Sequence, residues 1–141
     1  MKPREQVKLK ILGEWLRKAQ DDMAVAEHLV LDEAIFPNAV TFHCQQAAEK
    51  FIKAFLAWSE VDFPKTHDLT DLLSLVVLAN EQLAADIRAA TALTPYGVEL
   101  RYPGDRPDAS PAEAREAVRL ARKVRDAIVP LLPSLGPDGP G

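Results

Sequence analysis

The chain has 141 residues, 48% hydrophobic and 27% charged, which is enough for one hydrophobic core and too little for two comfortable ones. Its formal net charge of −4 argues against holding nucleic acid by bulk attraction and leaves only a local basic patch for that task. A single cysteine, Cys44, excludes an internal disulfide and a cysteine-built metal site, and it fits a reducing, cytoplasmic setting.

The opening "MKPREQVKLKILGEW" has charges spread through it, unlike a signal peptide, and no apolar run approaches the ~20 residues of a membrane span. The expectation is a soluble cytoplasmic protein with no membrane partner. Leu12, Leu16, Ala19, Met23, Ala26 and Val30 step by fours and threes, which predicts one apolar stripe on a helix of about residues 5 to 32. "DEAIFPN" ends it, and Pro37 suits the first turn of the next helix, about 38 to 59. The apolar residues of that helix (Val40, Phe42, Ala47, Ala48, Phe51, Ile52, Phe55, Leu56) cover far more than one stripe. Such a helix is central in its own fold or shared with another subunit.

Pro64 forbids a helix through "SEVDFPKTHD", and Thr66 or Asp68 can cap the third helix, "LTDLLSLVVLA". A fourth helix is predicted over about 81 to 93. "TPYGVELRYPGDRPDASP" holds four prolines and two glycines without a helical period, so it reads as a long loop. The last helix starts near Pro111 with Ser110 as cap and Glu113 completing a capping box, and its stripe is Ala117, Ala121, Val124, Ile128 and Leu131. No strand pattern and no repeat is present. The predicted fold is all-α, an up-and-down bundle of four main helices plus a short fifth over residues 1–132, with a disordered Pro/Gly tail over 133–141.

The chemistry-bearing residues are few. His28, His43 and His67 lack metal-ligand spacing, so no metal is expected. Cys44 and His43 are helix neighbours pointing about 100° apart, which prevents proton sharing and makes Cys44 a core filler. No Gly-rich phosphate loop is present, although Arg101 and Arg106 of "RYPGDR" carry guanidinium forks suited to phosphate. Arg115, Arg119 and Arg122 share a face of the last helix that could serve as a strip for RNA or an acidic partner, but interleaved Glu113, Glu116 and Asp126 suggest a solvated, salt-bridged surface. On the second helix, His43, Gln46 and Lys50 form one polar face and Gln45, Glu49 and Lys53 an adjoining one. Spacing alone leaves a partner-facing seam and an exposed polar edge equally open.

The order "FHCQQAAEKFIKAFL", "THDLTDLL", "ELRYP" and a closing Ala-rich helix resembles the HEPN domain, over about residues 12 to 130. The resemblance implies a small prokaryotic all-α protein that dimerises, often beside a minimal nucleotidyltransferase, in a toxin–antitoxin-like or nucleotide-dependent system. Many HEPN proteins resemble metal-independent ribonucleases that use Arg followed four to six residues later by His. This chain departs from that pattern: after Arg101 stand Arg106, Pro107 and Asp108, and an arginine cannot replace an imidazole base near neutral pH. The expectation is therefore a non-catalytic homodimer, without cofactor, that binds a nucleotide, a nucleotidyltransferase partner, or both. His43, Gln46, Lys50, His67, Arg101 and Tyr102 are the expected binding residues. Tyr102 is also where the resemblance would put nucleotide attachment by a partner. The alternatives are a divergent ribonuclease with His67 and Arg101 as catalytic candidates, which leaves RNA open as a ligand, and a purely structural interaction module.

Overall fold

A computed structural model describes residues 2–32, 36–97, 104 and 107–135. The helices are α1 (Pro3–Val30), α2 (Pro37–Trp58), α3 (Leu69–Ala79), α4 (Glu81–Asp86) and α5 (Pro111–Ile128), with 3-10 segments at Arg88–Tyr96 and Val129–Leu131. The fold is all-α, and no strand occurs among the described residues.

The α1 stripe buries Leu12, Leu16, Ala19, Met23 and Ala26 as its period requires, with Val30 partly buried against the same core. α2 is the central element: it packs on α1, α3, α5 and the 3-10 segment Arg88–Tyr96. Phe51, Ile52, Leu56, Ala47 and Ala48 are fully enclosed in it. Its C-terminus closes when Val61 N–H donates to the Leu56 carbonyl at 2.9 Å. That closure needs a left-handed residue, and Glu60 supplies it at φ 58°, its carboxylate meeting Arg4 and Lys8 of α1.

The caps follow from side-chain chemistry. Asp68 Oδ1 accepts from Thr70 N–H at 2.9 Å at the start of α3, and Asn80 Oδ1 accepts from Leu83 N–H at 3.0 Å at the start of α4. At α5, Ser110 Oγ accepts from Glu113 N–H and Glu113 Oε1 accepts from Ser110 N–H, a complete capping box. The fourth helix differs from its expected 81–93 span: α-winding stops at Asp86 and continues as 3-10 to Tyr96. Thr91 donates its hydroxyl to the Arg88 carbonyl, which competes with helical amides, and Pro95 has no amide to give. Of the expected tail, Leu135 packs against the core and reaches Gly13, and residues 136–141 lie outside the described residues.

Candidate functional site

The polar residues of α2 separate into two clusters. Gln45, Glu49 and Lys53 recur every four residues and line one inner seam, only 0%, 3% and 6% exposed. Neither a partner-facing seam nor a solvated edge describes them, because their own chain encloses them. Burial at that level demands complete pairing, since an unpaired buried charge costs several kcal/mol.

The pairing is complete. Glu49 Oε2 accepts from Lys53 Nζ at 3.1 Å, and Glu49 Oε1 accepts from Gln45 Nε2 at 3.1 Å. His67 Nδ1 lies 2.9 Å from the same Oε1. Gln45 spends its second amide proton on the His67 carbonyl at 3.1 Å, and its Oε1 accepts from Gln46 Nε2 at 2.7 Å. The Lys53 ammonium also stands 5.7 Å and 5.9 Å from the ring centres of Trp15 and Phe63, which pack edge to face.

This network positions His67. A carboxylate oxygen only accepts, and Oε1 already takes an amide proton, so the contact favours the tautomer with hydrogen on Nδ1. The imidazole itself is 73% exposed, so Nε2 is left to the surroundings. The following turn is tied to the same edge by Leu69 N–H donating to Thr94 Oγ1 at 3.2 Å.

Gly97 completes the edge. A Cβ there would stand 3.0 Å from Gln45 Cδ and 3.1 Å from its Oε1, so any larger residue would push that amide aside by a few tenths of an ångström. Both flanks of the loop that follows are fastened. Tyr96 Oη donates to Glu113 Oε2 at 2.8 Å, and Asn38 takes Ala109 N–H at 2.8 Å while donating to Asp108 Oδ1 at 3.0 Å. "ELRYP" therefore begins two residues beyond a glycine seated on the Gln45 amide.

The second cluster joins α1 and α2. Asp22 Oδ1 lies 2.8 Å from His43 Nδ1, and Oδ2 accepts from Lys50 Nζ at 2.5 Å. His43 also meets Phe42 edge to face at 5.3 Å between centroids.

The expected binding residues are thus divided. Gln46 and His67 come together through Gln45 and Glu49, while His43 and Lys50 meet on Asp22 instead. Arg101 and Tyr102 lie outside the described residues. Sequence reading missed Asn38, Asp22 and Gly97. Gln45, Glu49 and Lys53 carried a signal, a polar triplet spaced by four on an otherwise apolar helix. Asp22 carried none, since it stands beside the buried α1 stripe like any helix carboxylate.

Cys44 is fully buried, and that burial pushes its thiol up to about 12 from 9.0, despite the opposing pull of Arg122. It is a core filler, as its helical setting predicted. The arginine-rich face of α5 is salt-bridged in part: Arg119 binds Glu116 through two contacts of 2.9 and 2.5 Å. That hydrogen bonding holds the Glu116 carboxyl below its ordinary range. Arg122 reaches Glu27 of α1 at 2.7 Å, and Arg125 reaches Glu27 and Asp126. No helix among the described residues is long and apolar enough to cross a membrane.

The chain is a small all-α domain whose central helix carries a buried amide–carboxylate pair that holds the exposed imidazole of His67. The sequence profile of the HEPN domain matches residues 12–131, nearly all of the described chain, and the chain belongs to the HEPN domain family. Comparison with curated proteins and with solved structures gives no match.

Proposed function

We propose that this chain is a non-catalytic HEPN-type homodimer that binds a nucleotide through His67, Gln46, Arg101 and Tyr102, alone or together with a nucleotidyltransferase partner. The observation that carries the reading is the linkage of Gln46, Glu49 and His67 through Gln45, whose amide also packs against Gly97, two residues before the "ELRYP" segment. A site on pre-fixed groups binds with less ordering cost than one assembled on ligand entry. In this reading the Arg101 guanidinium takes phosphate and Tyr102 stacks on or hydrogen-bonds the nucleotide. His67 supplies Nε2 as a further polar contact. His43 and Lys50, fastened to Asp22, contribute at most the flank of the site.

Calorimetric titration with ATP, GTP and a short single-stranded RNA at low salt tests the reading. Saturable heat with a nucleotide, lost in Arg101→Ala and weakened in His67→Ala, is the expected result. No heat with any nucleotide would overturn it.

The Glu49–His67 contact also supports a second reading, a divergent ribonuclease, because a carboxylate on Nδ1 is the usual way to orient an imidazole for proton transfer. RNA cleavage by the pure protein, abolished in a folded His67→Ala variant, would favour it. Cleavage unchanged by that substitution would remove it.

A further inference from the structure

An open groove of ≈ 870 Å3 runs between α4 and α5, on residues that neither cluster of the candidate site uses. Its α5 wall carries Arg115, Arg119, Arg122 and Lys123. Arg115, Arg119 and Lys123 follow one another at intervals of four residues, so their charges repeat about every 6 Å along the axis. Among the described residues Arg115 and Lys123 make no ion pair, and Arg119 is held only by Glu116 of its own helix. Exposed pairs of that kind are weak, so Arg119 exchanges partners readily. The chain as a whole carries −4, which makes this row of cations a local inversion of sign.

The remaining lining selects the kind of anion. Ala85 and Ala127 leave the groove shallow-walled enough for another backbone to come near, and among the described residues no aromatic side chain lines it for a base to stack on. Asp86 and Asp126 stand in the same groove and would repel a continuous phosphate chain. Asp126 is paired with Arg125 and Asp86 accepts from Gln82, so both remain anionic walls that a ligand of mixed sign tolerates better than a polyanion does. An α-helix with carboxylates at every fourth position repeats its charges at the same spacing as the α5 row, and it can carry cations to meet the two aspartates.

We propose that the α4–α5 groove is a docking surface for a helical segment of a partner protein that bears glutamates or aspartates at four-residue intervals. Electrostatic complementarity of this sort sets partner choice and association rate more than raw affinity, so the contact is salt-sensitive. The inference does not depend on nucleotide binding at the loop edge.

Fluorescence anisotropy tests it with three labelled probes at low salt. The first is an alanine-rich peptide of about 17 residues, long enough to be helical, with glutamate at every fourth position. The second has lysine in place of each glutamate, and the third is an oligouridylate. The glutamate peptide is expected to bind saturably and the lysine peptide not at all. The double variant Arg115→Glu, Lys123→Glu is expected to lose about tenfold or more in affinity, with an unchanged melting curve because both side chains are exposed. If that variant melts early, Arg115→Gln with Lys123→Gln is the substitute, with a smaller loss in the same direction. No binding of the glutamate peptide, affinity indifferent to these substitutions, or tighter binding of the oligouridylate through the same two residues would each overturn the proposal.

Discussion

Glu49 meets three donors from inside the protein, and only one of them, Lys53, carries a permanent positive charge into the seam. Removing the carboxylate strands that ammonium beside aromatic rings at 6% exposure. Glu49→Ala should therefore destabilise the protein by about 3–5 kcal/mol in urea unfolding, whereas Glu49→Leu combined with Lys53→Met should recover most of the loss. Additive losses in the double variant would show that the two residues do not form one unit. Cys44 gives a pH signature. Its thiol stays protonated in the folded state to about 12, while the unfolded chain releases the proton from near 9.0. Between those values the unfolded state binds fewer protons, so this residue makes stability fall as pH rises, by about 1.4 kcal/mol per unit. Below 9 it contributes no slope. Unfolding of the native chain and of Cys44→Ala between pH 8 and 11 should diverge with that slope; parallel curves would contradict the burial of the thiol.

At the scale of the element, caps and loop anchors do separate jobs. Ser110→Ala removes one half of the α5 capping box and should cost about 1 kcal/mol without altering the loop edge. Gly97→Ala instead pushes a methyl to within 3.0 Å of the Gln45 amide, and should cost about 1–3 kcal/mol while loosening His67. An unaltered melting temperature for Gly97→Ala would mean that the backbone does not lie on that amide. The helices were legible in the sequence because their signals are local. The α1 stripe, Pro37, the Ser110–Glu113 box and the all-round apolarity of α2 each depend on residues a few positions apart. The 3-10 winding after Asp86 was not legible, because it arises from the Thr91 hydroxyl and Pro95 acting against an otherwise helical composition. The division of the polar faces of α2 was hidden for a different reason. His43 and Lys50 are claimed by Asp22 from 21 and 28 residues away, and no spacing within α2 encodes that.

For the whole molecule, the fold and family follow from the ordered motifs, and the proposed binding role rests on how one seam serves one edge. The same buried network that stabilises α2 also fixes His67 and seats Gly97, so stability and the geometry of the proposed site are coupled through Gln45 and Glu49. Light scattering at micromolar concentration should give twice the chain mass of 15.5 kDa if the proposed homodimer forms, and a single chain mass would contradict it. The most direct test of the account is amide hydrogen exchange with and without ATP. The account predicts slowed exchange over residues 94–106 and 66–69, absent in Arg101→Ala, with α5 unchanged. Equal exchange across that edge in the presence of saturating ATP, or protection confined to other elements, would contradict it.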